Sequence, residues 1–194
     1  LTPKALADQQ SQKFRDLGKL LNISNDRFIR TTDAGHEQRA AIIWKQLEKD
    51  IYKSKYIGLY CTGCEAFVTE AVAKENNNEC PHHKKPYERV EEENYFFRYS
   101  AFTEKLLSFY DANKNFVIPD FRFNEIKAFV ERGLQDFSIS RLKSKMPWGV
   151  DVPDDSEHVM YVWFDALVSY ISTLDWPNDQ DNFKKWWIDS ENVV

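Results

Sequence analysis

Cys61-Thr62-Gly63-Cys64 and Cys80-Pro81-His82-His83 are the two pieces of this chain whose residue types and spacing point most directly to chemistry. All three cysteines lie in them, both repeat a two-residue gap between first and last position, and 15 residues separate the pair. Soft thiolates and an imidazole grouped in this way suit a tetrahedral zinc ion. Each knuckle turn presents two donors on one side, and the intervening hairpin brings the second pair opposite the first. There is no fourth cysteine, so the fourth ligand is a histidine: His83 has the right spacing and His82 is one residue short. A disulfide framework would leave one cysteine over. Four protein ligands leave no open coordination position, so the zinc expected here is structural. The pattern reads as a small metal-tied module that interrupts something larger.

The segments that carry the knuckles can be read from periodicity. Thr2-Pro3 has the form of a helix start, with Leu6, Phe14, Leu17 and Leu21 recurring at helical spacing. Thr32 or Asp33 can cap a second helix through Ile42, Ile43 and Leu47. Tyr56 to Tyr60 leads as a strand into the first knuckle, Phe67-Val68-Thr69 returns from it, and Lys74 to Glu79 reads as a hairpin tip. Tyr87 to Val90 is a further strand, and Tyr95, Phe96, Phe97 and Tyr99 read as core. Helices are expected around Glu104 to Leu107, ending near Asn113, and over Phe123 to Arg132 with Gly133 as the stop. Ser138 to Arg141 is a short strand. The most apolar strand, Val159 to Trp163, runs without a gap into a helix through Ala166, Tyr170 and Ile171. Unbroken apolarity suggests burial on both faces, hence a parallel sheet covered by helices. Ligands of such folds sit beyond the carboxyl ends of the strands, here around Trp163 to Tyr170.

Bulk properties narrow the classes. The chain has 194 residues, 42% of them hydrophobic and 15% aromatic, which is the composition of a folded protein. A net charge of −5 gives no global basic field for nucleic acid, and no DNA partner is expected. His82, Lys84, Lys85 and Arg89 form a local basic group, most simply a solvated one. No apolar run approaches the length of a membrane span, so no membrane partner is expected either. The six glycines are scattered, and no Gly-rich phosphate loop or nucleophile elbow can be assembled from them. Reduced cysteines at metal spacing indicate a reducing compartment.

Five motifs, in order, carry a family resemblance. They are Gly58-Leu59-Tyr60-Cys61 with Cys64; Cys80-Pro81 with His83; Glu92 to Arg98; Ser138-Ile139-Ser140-Arg141; and Tyr161-Val162-Trp163-Phe164-Asp165-Ala166. Together they resemble the methionyl-tRNA synthetases, class I aminoacyl-tRNA synthetases, nearly end to end. The resemblance implies an α/β fold: part of a Rossmann-like nucleotide-binding parallel sheet interrupted by a zinc-knuckle connective-peptide insertion. Residues 1–52 would be helices of the catalytic domain's first half, 53–137 the insertion, and 138–194 the second half with the methionine-pocket strand and helix. It further implies that Trp163, Ala166 and Tyr170 line the methionine side-chain pocket. Phe137 would be an aromatic residue that shifts on binding, and Arg141 would stand at the mouth of the catalytic site. Taken by themselves, Trp163 is an ordinary core tryptophan, Arg141 a surface ion-pair residue and Tyr170 a helix-face tyrosine. Cys61, Cys64, Cys80 and His83 would hold the zinc.

By the same resemblance the parent enzyme activates methionine with ATP and Mg2+ and transfers it to tRNA(Met), in the cytoplasm or alternatively the mitochondrial matrix. The family's two ATP signature motifs do not occur in this sequence, and Lys143-Ser144-Lys145-Met146 does not stand in for one of them. The chain alone is therefore expected not to form methionyl-adenylate. The alternative is a non-catalytic zinc-ribbon module that binds protein or RNA; it accounts for Cys61 to His83 and for nothing else.

Overall fold

The structure is a computed structural model that describes residues 3–64 and 66–190, with side chains over 9–55, 58–64, 68–89 and 91–190. The expected helix start at Thr2 and the side chain of Leu6 lie outside the described residues. Helix α1 spans Pro3–Leu20, and its apolar residues Phe14 and Leu17 are exposed. Asp33 opens helix α2, Ala34–Gln46: its carbonyl accepts the amides of His36 at 2.8 Å and Glu37 at 3.0 Å. The buried stripe of α2 is His36, Arg39, Ala40 and Trp44.

Strand β1, Ile51–Cys61, pairs antiparallel with β2, Ala66–Val68, across the first knuckle. Thr69 then caps the short helix α3, Glu70–Glu75, its hydroxyl accepting the Val72 amide at 3.3 Å. The hairpin tip expected over Lys74 to Glu79 is thus the end of a helix. Asn76 is its cap, and Asn77 and Asn78 take left-handed φ values of 54° and 60°, which asparagine tolerates well.

Strand β3 runs from Glu88 to Phe97 and pairs with β1 in unbroken antiparallel register from Ile51↔Phe97 to Tyr60↔Glu88. The acidic run lies inside this strand instead of ending one. Lys53 and Lys55 on β1 reach Glu93 at 3.4 Å and Glu91 at 3.9 Å, so opposite charges meet across the pair. Helices α4, Thr103–Ala112, and α5, Asp120–Glu131, close an apolar centre of Tyr110, Val130 and Leu134, with Leu106, Phe123 and Ile126 packed against it. Gly133, at φ +90°, ends α5, as the sequence predicts. Strand β4, Phe137–Ser138, adds to β3 and completes a sheet of order β2-β1-β3-β4.

The strand expected over Ser138 to Arg141 is divided between two sheets. Strand β5, Ser140–Leu142, β6, Asp151–Val152, and β7, Asp155–Met160, form a second sheet of order β5-β7-β6. Helix α6 spans Val162–Ser172 and α7 spans Gln180–Phe183, followed by a π-helical turn, Lys184–Ile188. The chain divides into two compact units: Lys49–Ser138, and Leu1–Glu48 with Ile139–Val194.

Every strand pairing among the described residues is antiparallel, which corrects the expected parallel sheet. The apolar run Val159 to Trp163 is two elements. Only its first half is strand, with Val159 and Met160 buried; Tyr161 is the cap, and Val162 and Trp163 form the exposed first turn of α6. A strand end and a helix start that are both apolar look like one continuous buried strand in the sequence.

Candidate metal centre and amino-acid pocket

The register of β1 and β3 carries Cys61 to the end of the ribbon, where the chain turns through Thr62 and Gly63 to Cys64. The Cys64 amide approaches the Cys61 sulfur at 3.4 Å, so the first knuckle wraps its own donor. The second turn is closed by the Lys84 amide on the Cys80 carbonyl and the Cys80 amide on the Lys85 carbonyl, both 2.8 Å. His83 Nδ1 then lies 3.7 Å from Cys61 Sγ, 3.3 Å from Cys64 Sγ and 3.5 Å from Cys80 Sγ. Cys64 and Cys80 are 3.5 Å apart, and all four donor atoms lie within 4.8 Å of one another.

Those separations fit a metal. With bonds of about 2.3 Å to sulfur and about 2.0 Å to nitrogen, a tetrahedral zinc site has edges of roughly 3.5–3.8 Å. The protons of the cluster are unevenly held. The hydrogen bond with Cys80, then burial, push the Cys64 thiol up to about 12. Burial also pushes the Cys80 thiol up, but the backbone and ring of His83 outweigh it and bring that thiol down to about 6. A dication at the centre takes the place of such protons. Cys61 and Cys80 are buried and Cys64 is exposed, so the group sits at the surface of the ribbon end.

The other candidate residues divide between the two units. Trp163, Ala166 and Tyr170 share helix α6: Trp163 is 66% and Tyr170 44% exposed, and Ala166 is half-buried. Asp165, Val168 and Ser172 take the opposite, buried stripe. Arg141 sits on β5 with its guanidinium 3.9 Å above the Tyr161 ring and Nη1 donating to the Ser140 carbonyl at 2.7 Å. The side chain is thereby stacked and oriented. Phe137 belongs to the unit Lys49–Ser138, half-exposed and edge-on to Phe97 at 6.0 Å and Tyr99 at 5.6 Å.

Two residues escaped the sequence reading. His36 is buried on α2 with Nε2 3.7 Å from Asp165 Oδ2, and Gly63 lies under the His83 ring. A lone acid inside the apolar stretch Val162 to Val168 was the available signal for the first; nothing local signals the second.

The family model described as tRNA synthetases class I (M) matches residues 1–90 and 75–194, so both units are covered and not the knuckle alone. The chain is 45% identical over 189 residues to a methionine–tRNA ligase of Thermotoga maritima, covering 95% of this chain and 30% of that protein. It is 43% identical over 196 residues to a methionine–tRNA ligase of Rickettsia prowazekii, covering all of this chain and 38% of that protein. A solved structure of Mycobacterium tuberculosis methionyl-tRNA synthetase in complex with methionyl-adenylate matches with a TM-score of 0.81 and 40% identity, over 95% of this chain and 37% of that one. The chain thus spans about three- to four-tenths of the length of these relatives. It belongs to the class I tRNA synthetases of the M family, the family of the methionine–tRNA ligases.

Proposed function

We propose that this chain is a segment of a methionine–tRNA ligase, the enzyme that activates methionine with ATP and Mg2+ and passes the methionyl group to tRNA(Met) in protein synthesis. The observation that carries the reading is the end-to-end match at 40–45% identity to methionine–tRNA ligases in sequence and structure. A zinc-ribbon module of other parentage would match over the knuckle only, and the match extends over both units.

In this reading residues 1–52 and 138–194 are the two halves of the catalytic domain, and 53–137 are the connective insertion that helps place the acceptor end of tRNA. The compact unit Lys49–Ser138 supports that division. The antiparallel sheet of β5, β6 and β7 would flank the nucleotide-binding parallel sheet in the complete enzyme. Cys61, Cys64, Cys80 and His83 would hold a structural zinc ion, whose four protein ligands give shape to the ribbon end and leave chemistry to other residues. Trp163, Ala166 and Tyr170 would form the methionine pocket. Thioethers favour aromatic edges and faces, the Tyr170 hydroxyl is a weak partner for sulfur, and a small Ala166 leaves room. Arg141 would steady the methionine carboxylate or the charge that builds on the α-phosphate during in-line attack. Phe137 would move when methionine binds. No helix among the described residues is long and apolar enough to cross a membrane, and the enzyme would act in the cytoplasm, or alternatively the mitochondrial matrix.

The test is amino-acid-dependent ATP–pyrophosphate exchange by the full-length protein, with this 194-residue chain as the control. Exchange with methionine by the full-length protein and none by the chain is the expected result. Exchange with a different amino acid would sink the pocket assignment and leave the family standing.

A further inference from the structure

His36 is 1% exposed, and among the described residues neither of its ring nitrogens has a hydrogen-bond partner. Its Nε2 stands 3.7 Å from Oδ2 of Asp165, which is 6% exposed. Burying an imidazole against a carboxyl strips both of hydration, and apolar side chains of similar volume would pack there at lower cost. The best-attested use of such a pair is to specify one arrangement of two elements over its near neighbours.

The two elements are α2 and α6, and the position of the pair on α6 is informative. At 3.6 residues per turn, Asp165, Val168 and Ser172 form one stripe, and Trp163, Leu167 and Tyr170 form the exposed stripe on the other side. Other contacts also hold α2, among them that of Lys45 with the Asp154 carboxylate, but two bear on α6 and the turn after it. Trp44 meets Phe164 edge-on at 5.2 Å, and Arg39 bonds beyond the helix end, to the Asp175 carboxylate and the Trp176 carbonyl. Apolar edges tolerate a small rotation of α6, and Arg39 holds only the turn after the helix. The imidazole–carboxyl pair, on the buried stripe of α6, is a polar contact that such a rotation would break.

We propose that His36 is a positioning residue: through Asp165 it fixes the rotation of α6 about its axis, and so sets how Trp163, Ala166 and Tyr170 face the methionine side chain. The proposal rests on the reading of α6 as the methionine pocket.

The full-length enzyme labelled with 5-fluorotryptophan tests it, the Trp163 resonance being assigned by its loss in Trp163→Phe. His36→Ala and Asp165→Ala are each expected to shift that resonance, the double variant to shift it no further, and His36→Gln to restore it in part. In methionine-dependent pyrophosphate exchange, the alanine variants should raise KM for methionine about tenfold, as a small misplacement of binding groups by a remote mutation can do, with KM for ATP within about twofold. Val130→Ala, buried in the other unit, should leave the resonance and both KM values alone. If the alanine variants fail to fold, Asp165→Asn is expected to give the same shift and the same KM change. An unmoved resonance, additive shifts in the double variant, or equal losses for methionine and ATP would overturn the proposal. If the unmodified enzyme shows no exchange with methionine, the pocket reading falls. The fluorine resonance then decides by itself whether His36 pins α6.

Discussion

The imidazole of His83 fills the space that a side chain on Gly63 would need: a Cβ there would fall 2.6 Å from two ring carbons and 2.8 Å from Nδ1. In the proposed zinc site the ring would carry the fourth ligand, and it packs on bare backbone. Gly63→Ala should therefore displace His83 and lower zinc affinity by about tenfold, as losing a contact that orients a ligand does. Competition with a colorimetric chelator measures it; unchanged affinity would show that the ring does not depend on this approach.

Stripping a zinc ion bound at the proposed site should act locally. The apolar centre around Tyr110, Val130 and Leu134 is built from α4 and α5 and draws nothing from the knuckles. Chelation is expected to speed amide exchange over residues 61–87 while leaving α4 and α5 protected. Loss of protection throughout both helices would show instead that the metal holds the whole unit together.

Asp136 predicts an acid response. Burial pushes its carboxyl up, but the hydroxyl and amide of Ser100, the Tyr52 hydroxyl and the Arg98 charge together hold it below the usual range. The Ser100 amide is 3.0 Å away and the Tyr52 hydroxyl 2.9 Å. A carboxyl depressed in the folded state stabilises fully above its unfolded pKa, about 3.9, and loses that contribution as pH falls through the folded value. Asp136→Ala should cost about 1–3 kcal/mol at pH 7, with the gap to the unmodified protein closing as pH drops below about 4. Urea unfolding at several pH values reads this, and a gap independent of pH would contradict it.

Arg141 separates charge from packing. Its guanidinium lies over the Tyr161 ring, an arrangement that a lysine ammonium reproduces poorly. In the full-length enzyme Arg141→Ala should lower kcat/KM for exchange by about 10²–10³, in line with loss of one preorganised donor to developing charge. Arg141→Lys should recover only part of it. Full activity in the alanine variant would assign Arg141 to the surface.

Trp44 is a matter of stability. It is 3% exposed and meets Phe164 edge-on, so truncation leaves a large cavity between α2 and α6. Trp44→Ala should cost about 3–5 kcal/mol. Thermal unfolding of the full-length protein, followed by tryptophan emission or calorimetry, would show it.

How much of the fold and the site was legible in the sequence depended on range. The knuckles could be read because both ligand pairs are two residues apart and their turns are local. The end of α5 at Gly133 was legible for the same reason. The length of β3 was not, since Glu91, Glu92 and Glu93 break a strand pattern until β1 brings Lys53 within reach of Glu93 and Lys55 within reach of Glu91, and register is a long-range fact. The sheet direction failed at Tyr161, where the handover from strand to helix carries no polar mark. His36 and Asp165 lie 129 positions apart, and no local pattern links them.

The eleven-residue strand β1, paired with β3 from Ile51 to Tyr60, places the candidate metal cluster at the tip of a lever. Such a strand reaches on the order of 35 Å, so a tilt of about 5° at the root near Ile51 and Phe97 would sweep the tip through roughly 3 Å. Small adjustments at that root, where Tyr52 stacks on Phe96 and Phe137 stands edge-on to Phe97, would therefore be multiplied at Cys61 and His83. On this geometry the reach of the knuckle would be set at the aromatic root and not at the cluster itself.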